Sequence, residues 1–226
     1  MRGLFVTGTD TGVGKTFVTC ALARALRARG QRVAVLKPVE TGVVGEPADA
    51  VALREAAADP APLDDICPYR LRAPLAPAVA AAAEGVGIDV ERLVTLIRRR
   101  AAAADVLLVE GAGGLLVPLT ANVTNLDLAL RTDLPVLIVA ANRLGTVNHT
   151  ALTAHVAAAA SLRLVGFVLS QASPEPDASA SSNAETISAL THLERIANIP
   201  HGPAGIAVEQ MLAALTDTAL ERYLTE

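Results

Sequence analysis

A chain of 226 residues with a net charge of −4, 52% hydrophobic residues, 2% aromatic ones and no Trp is long enough for one sizeable core, built from Ala, Val, Leu and Ile. Small aliphatic side chains suit the closely packed layers of an α/β protein. The basic residues are scattered, so no positive patch for nucleic acid is visible. No apolar stretch is long enough to cross a bilayer, and the N-terminal MRGLFVTG is too short in apolar residues for a signal peptide. The chain reads as soluble and cytoplasmic.

In chain order, strands and helices alternate. GLFVTG is a short buried strand. KTFVTCALARALRARG is a helix stopped by Gly30. RVAVLKP is a second strand ended by Pro38. ADAVALREAAA is helical from near Asp49, and DVERLVTLIRRRAAAA is a longer helix. DVLLVEGAGG is a strand that runs into a glycine-rich loop. NLDLALRT is a short helix and LPVLIVAAN a strand. NHTALTAHVAAAASL is a helix, RLVGFVLSQ a strand, and SNAETISALTHLERIA and the C-terminal segment are helical. The strands are continuous apolar runs, the mark of a parallel sheet covered on both faces. The Pro-, Ser- and acid-bearing stretch Ala172 to Ser182 is expected to be a mobile surface loop. Arg98, Arg99 and Arg100 are expected at a solvated helix end. Cys20 on a helix and Cys67 in a loop are expected as reduced thiols. No repeat and no domain boundary is evident. The expectation is a single doubly wound α/β domain over residues 1–226, with ligands beyond the carboxyl ends of its strands.

Between the first strand and the first helix lies GTDTGVGKT, Gly8 to Thr16. The phosphate-binding pattern is Gly, four residues, then Gly-Lys-Ser/Thr, and Gly8 stands one place early. The strand-to-helix context nevertheless marks a P-loop of atypical spacing. Backbone N–H groups and the helix N-terminus make an anion site. Gly12 and Gly14 let the backbone curl around phosphate, Lys15 reaches the β- and γ-phosphates, and Thr16 binds Mg²⁺. Of 19 Lys plus Arg residues, only Lys15 and Lys37 are lysines. Lys37 ends the second strand at the same edge of the sheet, so both compact charges are expected in one site. Glu110 ends an apolar strand, where P-loop enzymes place an acid for Mg²⁺. Gly111, Gly113 and Gly114 after it admit close backbone approach. Asp49 is either a further site acid or a plain helix cap. In NRLGTVNHT, Thr146 or Asn148 caps a helix, or its free N–H groups hold a carboxylate. His149, His155, His192 and His201 are not spaced for a metal site.

Taken together, GTDTGVGKT, KPVETG, VEGAGG and LGTVNHT resemble the dethiobiotin synthetases in order and spacing, from about Phe5 to Thr150. That family is a P-loop NTPase branch related to partition and arsenical-pump ATPases. The second, early-loop lysine of many members of that branch is replaced here by Asp10, which argues against a switch ATPase. The resemblance implies that 7,8-diaminononanoate and CO₂ are joined into a ureido ring at the expense of ATP or another nucleoside triphosphate. It implies catalytic roles for Lys37, Lys15 and Thr11, and Mg²⁺ held by Thr16, Asp49 and Glu110. It extends the triphosphate site to Gly12, Val13, Gly14, Phe17, Gly111, Ala112 and Gly113, and the base site to Ser170, Gln171, Pro200, His201 and Gly202. Substrate contacts fall to Thr11, Lys37, Thr41 and Gly111. Thr146, Val147 and Asn148 reach the substrate carboxylate from the other subunit of a homodimer. Where the family usually has an Asn to read adenine, this chain has Ser170 and Gln171, which implies loose base selection.

Overall fold

The computed structural model describes residues 2–171, 173–175 and 177–224. The elements are β1 (Gly3–Gly8), α1 (Lys15–Ala28), β2 (Val33–Leu36), β3 (Val39–Thr41), α2 (Ala48–Ala57), α3 (Leu63–Ile66), β4 (Tyr69–Leu71), α4 (Pro77–Glu84), α5 (Val90–Ala102), β5 (Val106–Gly114), α6 (Asn125–Thr132), β6 (Val136–Ala141), α7 (Thr146–Ala159), β7 (Leu164–Ser170), α8 (Ala180–Thr191), β8 (Arg195–Ile199), α9 (Ala204–Asp217) and α10 (Leu220–Leu224). Six strands form one sheet in the order β2-β5-β1-β6-β7-β8, and every pairing in it is parallel. Among the described residues no helix is long and apolar enough to cross a membrane.

The continuous apolar strands follow from burial on both faces. Leu4 and Val6 of β1 pack with Leu22 of α1, Leu53 of α2, Met211 of α9 and Leu224 of α10. Phe5, between them, points the other way and packs with Leu93 and Ile97 of α5 and Leu128 of α6. Ile138, Phe167 and Leu169 of β6 and β7 join Ala154 of α7 and Ile187 of α8 in a third cluster. The fold is therefore doubly wound α/β of the P-loop type. The chain leaves β1 toward β2 on one side, and leaves β5 toward β6 on the other. The crevice where these directions diverge lies at the carboxyl end of β1, which is where such sheets bind ligands.

Several elements differ from the sequence reading. The strand expected over RVAVLKP is only Val33–Leu36, and the chain breaks at Lys37 and Pro38 before β3 begins. β3 pairs in parallel with β4 as a separate small sheet. The helix expected through Ala197 stops at Thr191, because His192 takes a left-handed φ of 58° and closes it. Arg195–Ile199 then forms β8 along Phe167–Ser170. The stretch 172–182 is loop only in part: Ala180 to Ser182 are the first turn of α8, while Ala172 and Pro176 lie outside the described residues. α7 begins at Thr146 rather than Asn148, and its cap is Gly145, not Thr146 or Asn148. Arg100 is not solvated. It is buried and pairs with the buried Asp59. Both cysteines are free and buried, and burial pushes each thiol up to about 12.

Candidate active site

The loop after β1 explains the early glycine. A Cβ on Gly8 would lie 2.7 Å from the Asp10 carbonyl oxygen and 2.9 Å from Lys15 Nζ. The loop closes over Gly8 itself, so a glycine is required one place before the usual position. Gly14 is doubly constrained: its φ is +91°, and a Cβ there would meet Ser170 Oγ at 2.6 Å. Gly14 caps α1 without a side-chain bond, so N–H groups at the start of that helix are free for an anion. Lys15 is the first residue of α1. Its ammonium arcs back to donate to the Asp10 carbonyl at 3.1 Å. Burial first, and the neighbouring Lys37 second, lower its pKa to about 8.

Lys37 leaves β2 and lies 4% exposed. Its Nζ donates to Glu110 Oε1 at 2.6 Å and to Asp49 Oδ2 at 2.8 Å. Burial alone would lower its pKa, but the two carboxylates outweigh that and hold it above the ordinary lysine value. Asp49 is likewise penalised by burial, yet Lys37 pulls its pKa down. Asp49 is not a helix cap: Pro47 holds that position, and the Asp49 side chain faces Lys37. Glu110 is fully buried. Thr16 Oγ1 donates to Glu110 Oε1 at 2.7 Å, while Glu110 Oε2 has no partner among the described residues. Two carboxylates, one with an oxygen left unpartnered, and a hydroxyl thus converge beside the P-loop. Such hard oxygens suit Mg²⁺, so Thr16, Asp49 and Glu110 fit the expected metal.

Thr16, Lys37 and Asp49, with Glu110 buried behind them, open into a cavity of about 780 Å³. Thr11, Gly12, Gly14, Lys15, Thr16 and Phe17 line one side, and Lys37, Thr41 and Asp49 another. Ala112 and Gly113 close it from β5. Here β1 and β5 fall out of step: Val6 pairs with Glu110 but Gly8 with Gly114, so β5 spends four residues where β1 spends two. The excess makes a bulge of Gly111 to Gly113. Gly113 takes a φ of +68°, and a Cβ on it would lie 3.4 Å from Thr11 Oγ1.

Several contributors were missed in the sequence. Val39, Pro74, Leu75, Ala76, Pro77 and Val117 give the cavity an apolar wall, and Glu40 also lines it. Only the tight prolines of RAPLAP hinted at the wall. Asn125 is fully buried, and its amide donates to the carbonyls of Ala112 at 2.8 Å and Gly114 at 2.9 Å. It pins the bulge. A lone Asn at a helix start carries no such signal.

The remaining expected residues lie elsewhere. Val13 is buried in the loop against the core. Ser170 pairs with Ile199, and Pro200, His201 and Gly202 run on exposed from there. Gln171 Nε2 donates to the carbonyls of Ser173 and Pro174. Thr146, Val147 and Asn148 do not line the cavity of their own chain.

Comparison with known proteins finds relatives in sequence and in fold. Residues 2–207 match the AAA_26 family model, described as an AAA domain. The chain is 54% identical over 204 residues to the ATP-dependent dethiobiotin synthetase of Anaeromyxobacter dehalogenans (strain 2CP-C), covering 90% of this chain and 92% of that one. It is 44% identical over 177 residues to the same enzyme of Xanthomonas axonopodis pv. citri (strain 306), with 76% and 79% covered. Among solved structures, it is similar to the septum site-determining protein MinD complexed with Mg-ADP from Pyrococcus horikoshii OT3, with a TM-score of 0.58, 17% identity, and 99% and 92% covered. That likeness shows a shared fold alone. The extent and level of the sequence identity show more: the chain belongs to the family of ATP-dependent dethiobiotin synthetases.

Proposed function

We propose that this chain closes the ureido ring of dethiobiotin from 7,8-diaminononanoate and CO₂, using a nucleoside triphosphate and Mg²⁺, in the cytoplasmic synthesis of biotin. The observation that carries this reading is Lys37. It is a buried cation set between two carboxylates, on the boundary between a phosphate-binding loop and an apolar-walled cavity. A nucleotide switch has no need of that cavity, whereas a long-chain diamine does.

The chemistry follows three steps. One amine adds to CO₂ and gives up a proton, leaving a carbamate. A carbamate oxygen attacks the γ-phosphorus and the nucleoside diphosphate departs. The second amine then attacks the carbamate carbon, phosphate departs, and the ring closes. Carbamate and triphosphate are both anions, so the second step needs fixed positive charge where they meet. Lys37 supplies it from the substrate side and Lys15 from the phosphate side. With a phosphate present, Lys15 exchanges its Asp10 carbonyl for phosphate oxygens. Thr16, Asp49 and Glu110 would hold Mg²⁺, which when bound neutralises phosphate charge. Thr11 and Thr41 offer hydroxyls to the carbamate and amines. Pro74 to Pro77 and Val117 cover the alkyl chain and keep water from the mixed anhydride.

The substrate carboxylate is held by the start of α7 in a second copy of the chain, giving a homodimer. Two features support this: Gly145 leaves the first N–H groups of α7 without a side-chain cap, and Leu144 beside them is 81% exposed. Base selection is loose, since Ser170 lies on Gly14 and the Gln171 amide is occupied by its own loop. One good base contact discriminates by about 1–3 kcal/mol. Without it, kcat/KM for ATP, CTP, GTP and UTP should agree within about tenfold; an exclusive preference for ATP would refute this.

The reaction itself is tested by phosphate release from purified protein with Mg-ATP, bicarbonate and the diamine, omitting each in turn. Release should require all of them, with dethiobiotin detected by mass spectrometry. Release indifferent to the diamine would point instead to a partner-regulated ATPase.

A further inference from the structure

Glu40 belongs to none of the roles above, yet it lines the cavity and is 7% exposed. It sits in the middle of β3. Its Oε1 accepts from the Asp49 N–H and its Oε2 from the Ala50 N–H, both at 3.0 Å. These are the second and third residues of α2, whose own cap position is Pro47 and offers no side-chain bond. A local cap residue would satisfy those N–H groups. Here a carboxylate from another element does so, with the charge that a helix N-terminus favours.

The consequence reaches the site through Asp49. One end of Asp49, its N–H, is held by Glu40; the other, its carboxylate, meets Lys37. The connection from β3 to α2 turns at Gly42 and Gly45, with φ of +76° and +83°, and leaves Val44 92% exposed. That path is bonded to the segment around β4, through the N–H groups of Gly42 and Val43, and not to the first turn of α2. Glu40 spans it directly.

We propose that Glu40 is a positioning residue: its carboxylate clamps the first turn of α2 to β3 and so fixes Asp49 over the Thr16–Glu110 pair. This rests on the reading of Asp49 as part of the Mg²⁺ set. Gln cannot replace it fully, because one of its two terminal atoms is a donor facing a donor.

The test separates clamping from capping. Binding of a non-hydrolysable ATP analogue is measured by calorimetry over a range of Mg²⁺ and in EDTA. The proteins are wild type, Glu40→Ala, Glu40→Ala/Pro47→Ser and Asp49→Asn. Pro47→Ser supplies a local cap to the same N–H groups without tying α2 to β3. Removing a residue that orients a metal ligand costs about 10- to 100-fold in metal affinity. Glu40→Ala should therefore raise the half-saturating Mg²⁺ at least tenfold and leave affinity in EDTA unchanged. Pro47→Ser should restore the lost melting temperature but not the Mg²⁺ requirement. A wild-type Mg²⁺ requirement in Glu40→Ala, or its restoration by Pro47→Ser, would reduce Glu40 to a cap. If Asp49→Asn also leaves that requirement unchanged, the metal role of Asp49 fails, and the clamp with it.

Discussion

Lys37 is where burial and charge oppose each other most strongly. An ammonium 4% exposed persists only because Glu110 and Asp49 lie 2.6 and 2.8 Å away. The dependence is mutual, since Glu110 is wholly buried and one of its oxygens already lacks a partner among the described residues. Removing one member of such a pair costs about 3–5 kcal/mol, because the other charge is stranded. Lys37→Met keeps the stem and deletes the charge. It should lower unfolding free energy by about that amount in the free protein, measured by urea titration. Turnover should fall further, by about 100- to 1,000-fold, since a preorganised charge at the developing anion is gone. Analogue binding with Mg²⁺ should stay within a few-fold of wild type, because the P-loop and Lys15 are intact. A variant with normal turnover would remove Lys37 from the chemistry.

At the level of elements, the site depends on β5 outrunning β1 by two residues after Glu110. The sheet pairs the two ends of that excess, at Glu110 and Gly114. Asn125, the first residue of α6, holds the part between, with two bonds to the carbonyls on either side of Gly113. Asn125→Ala should cost about 2 kcal/mol for two partly buried carbonyls left without donors. It should raise KM for the diamine, while analogue affinity, read by calorimetry, stays unchanged. An equal loss of both would mean that the bulge serves only stability. The bulge also shows what the sequence could reveal. VEGAGG announced close backbone approach, and the strands announced themselves as unbroken apolar runs, because both signals are local. The pin was not legible, since an Asn eleven residues beyond Gly114 acts through space. The strand β8 was hidden for a similar reason. RIANI follows a helical pattern, and the turn between them uses His192 at φ 58° where a glycine would have marked the stop. Arg100 looked like one of three surface cations, but its partner Asp59 lies beyond another helix end.

Across the whole molecule, Lys15 and Lys37 are the only cations among the described residues that line the cavity. They neighbour each other where the P-loop meets the rest of the cavity. On the proposed reading, a carboxylate at the other end of a long alkyl chain needs donors from elsewhere, and the start of α7, which has no side-chain cap, is the proposed source. Leu144 stands directly before them, 81% exposed, with Leu152 further along the helix at 56%. On the proposed homodimer, these two side chains are the ones a partner surface would cover. The expected particle is a dimer of the 23.2 kDa chain by sedimentation equilibrium. Leu144→Asp should shift it toward monomer without changing the melting temperature of the isolated fold, since that side chain packs little within its own chain. The monomer should bind the ATP analogue as tightly as before, because the P-loop, Lys15 and Thr16 all come from one chain. Its KM for the diamine should rise at least about tenfold, the typical loss when a carboxylate forfeits a charge-assisted partner worth about 1.5–3 kcal/mol. A wild type that sediments as a monomer yet turns over the diamine would show that the chain completes its substrate site alone. A monomeric Leu144→Asp with unchanged KM would place the carboxylate site within one chain and leave the dimer without a catalytic role.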